Sequence, residues 1–134
     1  FVDDSGLSVD ALGGAPGVYS ARFAGANASD DDNNRLLIEK LRDIENRDAR
    51  YVCVIALAKG GELIETFRGE AEGRIIDQPR GTNGFGYDPY FFYPPLSCTF
   101  AEMSPEQKQQ VSHRGQALRQ MRAYLERLAV NEAR

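Results

Sequence analysis

Arg50-Tyr51-Val52-Cys53-Val54-Ile55-Ala56-Leu57-Ala58 is the stretch on which the fold turns. It is apolar almost throughout and lacks the alternation of a half-exposed strand, so it predicts a strand covered on both faces. Lys59-Gly60-Gly61-Glu62 supplies a hairpin turn, and Leu63 to Arg68 reads as the returning strand, which Glu70 to Asp77 prolongs past a bulge at Gly69. Residues 79–89 hold Pro, Arg, Asn and three glycines and form a loop before Phe91 and Phe92 rejoin the sheet.

Upstream, Phe1-Val2 followed by Asp3-Asp4-Ser5-Gly6 reads as a strand end entering a tight polar turn. Leu12 to Gly17 is a glycine-rich connection, and a short helical turn follows around Tyr19 to Phe23. Ser29 caps a helix with an acidic first turn, whose stripe of Leu36, Leu37, Leu41 and Ile44 ends it near Ile44. Downstream, Ser104-Pro105-Glu106-Gln107 is a capping signature for a short helix. A second helix opens near Ser112 and sets Leu118, Met121, Leu125 and Leu128 on one docking stripe. Helices flanking a central sheet make an α/β protein, and the 134 residues, without repeat or divided by any linker, read as one domain over 1–134.

Composition limits the function. With 16 basic against 20 acidic residues there is no excess positive charge for coating DNA or RNA, although one triphosphate needs only a metal and a few placed cations. The longest apolar run, Tyr51 to Ala58, is too short to cross a bilayer, so no membrane partner is expected. Cys53 and Cys98 make neither a disulfide framework nor, with His113, a zinc site, which points to a cytoplasmic setting. The chain begins at Phe1 rather than Met and enters an internal-looking motif at once.

Three clusters carry candidate chemistry. Asp3 and Asp4 offer hard oxygen ligands suited to magnesium, and alternation along a strand turns one toward a cleft, the role given to Asp4 beside Ser5. The same residues also suit a solvated Asx turn. Gly84-Phe85-Gly86-Tyr87-Asp88-Pro89 joins a backbone able to close on a ligand, an aromatic ring able to stack on a base and a carboxylate able to accept from its edge, while a plain turn between strands fits it as well. Lys108 with Ser112-His113-Arg114 brings donors to a helix start, or forms a surface charge cluster. No Walker loop occurs, and Gly84 and Gly86 lack the third glycine of a dinucleotide fingerprint.

In order, Asp3-Asp4-Ser5-Gly6-Leu7, Gly13 to Phe23, Gly84 to Pro89 and Ser112-His113-Arg114-Gly115 closely resemble the inosine/xanthosine triphosphate pyrophosphatase family, over essentially the whole chain. The resemblance implies an ITPase-like mixed central sheet with flanking helices, two-lobed in the intact family. It implies hydrolysis of ITP, dITP or XTP to the monophosphate and pyrophosphate, a Mg2+ cofactor and a homodimer. By likeness, Asp4 is the metal ligand and the proton acceptor for the attacking water, and Ser5 is a substrate contact. Phe85, Gly86, Tyr87 and Asp88 form the base-binding stretch, with Lys108, His113 and Arg114 completing the nucleotide pocket. A donor facing position 6 of the purine admits the oxygen of hypoxanthine or xanthine and is left unpaired by adenine.

The family's opening strand, its phosphate-gripping Asn and Lys motif and a further acidic metal ligand do not occur here. The expectation is a chain lacking roughly the first third of a family member, hydrolysing poorly alone. The competing expectation is a catalytically silent nucleotide-binding or assembly module.

Overall fold

The computed structural model describes residues 1–132, and the last two of the span expected to form one domain lie outside the described residues. One sheet of six strands runs in the order β2, β1, β3, β4, β5, β6. Its strands are β1 (Val2–Val9), β2 (Pro16–Gly17), β3 (Asp48–Lys59), β4 (Glu62–Ile75), β5 (Phe91–Tyr93) and β6 (Cys98–Thr99), with helices α1 (Asp30–Lys40), α2 (Pro105–Val111) and α3 (His113–Glu132). The α/β class holds. Every recorded pairing is antiparallel, so the sheet expected to be mixed is antiparallel throughout the described residues.

The hairpin forms as the sequence predicts: Gly60 and Gly61, at φ 60° and 82°, occupy the two-residue turn that needs positive φ at both positions. Three expectations change. Asp3 to Gly6 make no turn, because β1 runs straight through them and pairs with β3 from Val2↔Ala56 to Val9↔Ala49. The irregularity in the β3–β4 ladder falls between Leu57 and Ala58, whereas Gly69 pairs in register with Cys53. Finally, β3 does alternate: Ala49, Tyr51, Cys53 and Ile55 are buried, while Arg50, Val52 and Val54 are half-buried. An apolar run hides that period, because Val52, Val54 and Ala56 stand on the open face too.

Both core clusters lie on the face of the odd-numbered β3 residues. At one end Leu7, Val9 and Tyr51 meet Leu37 and Leu41 together with Phe91 and Phe100. At the other, Cys53, Ile55 and Phe67 meet Ala117 and Met121 of α3. Of the expected α3 stripe, Met121 is buried and Leu118 half-buried, but Leu125 and Leu128 run past the sheet and are exposed. α1 stops at Lys40, short of Ile44.

Each cap is built as the sequence suggests. The Ser29 side chain accepts from the Asp32 N–H and Asp32 answers to the Ser29 N–H, and Ser104 and Gln107 do the same for α2. Ser29→Ala should therefore lower the stability of the chain by about 1 kcal/mol, read as a shift in urea midpoint at constant slope. An unchanged midpoint would mean that the first turn of α1 is held by its packing alone.

Candidate active site

Between the two core clusters the sheet face opens into a cavity of about 470 Å³. Ser5 and Gly6 of β1, Asp30 and Asn33 of α1, the loop 83–88 and the starts of α2 and α3 wall it. Tyr51 lies at its floor. It is 7% exposed, its ring stacks on His113 with centroids 4.6 Å apart and planes at 9°, and its hydroxyl donates to Asp88 Oδ1 at 3.0 Å. Burial first, and the Asp88 carboxylate second, push the Tyr51 phenol well above its ordinary pKa, so it stays a donor.

The loop 84–89 reaches its shape through bonds to the rest of the protein. Asp88, 3% exposed, accepts on Oδ2 from Lys108 Nζ at 2.5 Å and from the Phe85 N–H at 3.1 Å. Gly86 donates its N–H to Asp30 Oδ2 at 2.9 Å and accepts from Asn34 Nδ2 at 3.0 Å. Tyr87 is buried and its hydroxyl donates to the Ser20 carbonyl at 2.5 Å. A side chain on Gly84, at φ 74°, would stand 2.2 Å from Asp88 Oδ2, so only glycine lets the carboxylate fold under the loop. Of the four residues expected to read a base, Phe85 alone presents a free surface: it is 63% exposed, with Lys108 Nζ 4.5 Å from its ring centroid. Gly86, Tyr87 and Asp88 line the cavity, but their polar bonds recorded here go to protein.

His113 and Arg114 open α3 side by side. His113 is 8% exposed and its Nδ1 has no partner among the described residues. Burial first, then the Arg114 and Lys108 charges, lower its pKa to about 4, so the ring is neutral at pH 7. Arg114 turns to β1, with Nε 2.9 Å from Asp3 Oδ2 and a terminal nitrogen 3.4 Å from Ser5 Oγ.

The pairing register corrects one expectation about β1. Asp3 and Ser5 lie opposite Ile55 and Cys53 and share the cavity face, whereas Asp4 lies opposite Val54 on the other face. Asp3, not Asp4, thus occupies the inner position. Its carboxylate is engaged by Arg114, by Ser5 Oγ at 3.0 Å and by the Cys53 thiol at 3.3 Å. Asp4 is exposed and is bound by none of the described side chains. The described residues hold no cluster of three His, Cys, Asp or Glu side chains suited to a metal; the single carboxylate of β1 that no described side chain engages is that of Asp4, a hard oxygen donor.

Sequence reasoning missed Tyr51, Asp30 and Asn34. Tyr51 had a signal: a phenol inside a buried strand must find a hydrogen-bond partner. Asn33 and Asn34, both under 10% exposed, left a fainter one, as two amides interrupting the inner face of α1.

Comparison with known proteins agrees with this geometry. The sequence model of the Ham1 family matches residues 1–124. A dITP/XTP pyrophosphatase of an Exiguobacterium species is 59% identical over 121 residues, covering 90% of this chain and 62% of the relative. One from Geobacter sulfurreducens is 53% identical over 125 residues, covering 92% and 63%. The solved structure of the Staphylococcus aureus Ham1 protein superposes with a TM-score of 0.89 at 48% identity, over 92% of this chain and 65% of that one. A HAM1 protein from Coxiella burnetii gives 0.89 at 44%, over 94% and 66%. The chain spans less than two thirds of the length of these curated relatives. With its cavity set on the same framework as those structures, the chain belongs to the Ham1 family.

Proposed function

We propose that this chain carries the base-selecting part of an enzyme that hydrolyses deaminated purine nucleoside triphosphates (ITP, dITP, XTP) to the monophosphate and pyrophosphate. The observation that carries the reading is the cavity: one free aromatic face, Phe85, beside the Lys108, His113 and Arg114 side chains, on a framework shared with dITP/XTP pyrophosphatases. A flat purine stacks on Phe85, and the cations favour the 6-oxygen of hypoxanthine or xanthine over the amino group of adenine.

Asp4 is the residue assigned to Mg2+ and to the attacking water. The role follows the family likeness: Asp3 is tied to Arg114, whereas Asp4, on the opposite face of β1, is exposed and bound by none of the described side chains, so the phosphates of a nucleotide seated in the cavity must pass over β1 to reach it. When bound, the ion neutralises phosphate charge. Asp4 then accepts the proton of the water that attacks the α-phosphate, and no covalent intermediate is needed. Two cysteines recorded as free support a cytoplasmic setting, and exposed Val18 and Tyr19 beside Arg22 offer a surface for a homodimer. No helix among the described residues is long and apolar enough to cross a membrane.

The test has two parts. Titration of this chain should show tighter binding of inosine triphosphate than of adenosine or guanosine triphosphate. In the whole protein, magnesium-dependent pyrophosphate release should show the same order, and Asp4→Asn should remove turnover while selective binding stays. Selective binding with no turnover in the whole protein would mark a silent nucleotide-binding module, and binding without preference would overturn the reading.

A further inference from the structure

Asp88 is the buried carboxylate bonded to the Phe85 N–H on the cavity wall, and what it offers a ligand depends on Tyr51. An ionised carboxylate accepts about four hydrogen bonds. Asp88 already accepts one from the Tyr51 hydroxyl on Oδ1 and two on Oδ2, from Lys108 and the Phe85 N–H, and it is buried. The other carboxylate on the wall, Asp30, accepts one bond from the Gly86 N–H and is exposed, so its remaining acceptor positions are open to solvent, unlike those of Asp88. The Tyr51 ring cannot swing away to release Asp88, because it stacks on His113, stacks on Phe100 at 5.5 Å and 7°, and packs against Phe91 at 4.6 Å.

We infer that Tyr51 is a selectivity-determining positioning residue, whose hydroxyl keeps the Asp88 carboxylate turned into the protein and thereby withholds from an exocyclic amino group the acceptor it would need. The wall beside Phe85 then presents the Lys108 and Arg114 donors, while the acceptors of its buried carboxylate, Asp88, are taken up by the protein. An oxygen on the purine edge finds a partner, whereas an amino group at position 2 or 6 is desolvated without one. The inference rests on the reading that this cavity takes a purine base, and it adds a reason for rejecting guanine, which shares the 6-oxygen with hypoxanthine and differs by its 2-amino group.

The experiment is equilibrium titration without divalent metal, so that no turnover occurs. On the unmodified chain, purine riboside triphosphate should bind about tenfold more tightly than 2-aminopurine riboside triphosphate, although neither has a 6-oxygen. Tyr51→Phe keeps the ring stack and frees Asp88 Oδ1. It should narrow the preference for inosine over guanosine triphosphate by about tenfold, and Asp88→Leu added to it should restore that preference, because no side-chain acceptor is left at that position. A loss of packing alone would weaken every nucleotide equally and leave the ratio where it was. An unchanged ratio in Tyr51→Phe, or equal binding of purine and 2-aminopurine nucleotides by the unmodified chain, overturns the inference and leaves the functional reading standing. Absence of any preference for inosine triphosphate in the unmodified chain overturns the functional reading, and this inference with it. Where Tyr51→Phe does not fold, equal binding of the purine and 2-aminopurine nucleotides by the unmodified chain still overturns the inference.

Discussion

Gly69→Ala should lower the stability of the chain by about 3 kcal/mol, the upper part of the range for overpacking a core. Gly69 faces Cys53 across the ladder, and α3 lies directly upon it. An added Cβ would stand 2.0 Å from the His113 carbonyl oxygen, 2.9 Å from Gln116 Cβ and 3.0 Å from the Ala117 nitrogen. None of these is the loose end of a flexible side chain, so the helix itself must lift. Lifting it opens the contact of Ala117 and Met121 with Cys53, Ile55 and Phe67, and stretches the bond from Gln116 Nε2 to the Glu70 carbonyl, now 2.7 Å. His113 and Arg114 move with the helix, away from Tyr51 and Asp3. The measurement is a urea midpoint with the His113 ring proton shifts beside it: both should change. A native midpoint with native shifts would show that α3 does not rest on the strand at Gly69.

The same glycine shows where sequence reasoning stops. A glycine in a strand suggests a bulge or a close approach, and nothing local chooses between them, because the partner that approaches is 44 residues away in α3. Features written in short range were legible: the Ser29 and Ser104 caps, the Gly60-Gly61 turn, and the loop between Pro79 and Pro89, although the capping box of Thr99 with Glu102 went unread. Those that depend on pairing were not. Reading Asp3 to Gly6 as a turn follows from their polarity, yet β1 crosses them because β3 supplies its ladder, and it is this ladder that sends Asp3 and Asp4 to opposite faces. In the cavity, the sequence named the loop 85–88 and the Lys108, His113 and Arg114 donors, but not how they are held. That information lies in Tyr51, from a strand that reads as plain core, and in Asp30 and Asn34, from a helix start that reads as a solvated acidic cap.

The second large effect is one of pH, and its sign follows from His113. An unfolded chain protonates this ring near its ordinary value of 6.5, whereas burial, with Arg114 and Lys108 beside it, holds the folded value at about 4. Asp3 pulls the other way, but less, and the Tyr51 ring stacked on His113 carries no charge. Between those values the unfolded state binds the extra proton and the native state does not. The contribution to stability is therefore whole above pH 6.5 and is lost as pH falls toward 4, by about 3 kcal/mol in all at 1.36 kcal/mol per unit. Asp32 and Glu102, held below the usual carboxylate range first by the backbone N–H groups of Ser29 and Thr99, lose their contributions only at more acid pH. They do so equally in any His113 variant. His113→Gln has no ring to protonate, so the stability difference between it and the native chain, from urea unfolding at intervals from pH 7 to 4, should shift by that amount in favour of the variant as pH falls. Parallel curves would mean that the ring takes up its proton in the folded chain at the ordinary pH, and that the imidazole facing the cavity at neutral pH is not kept uncharged by the wall around it.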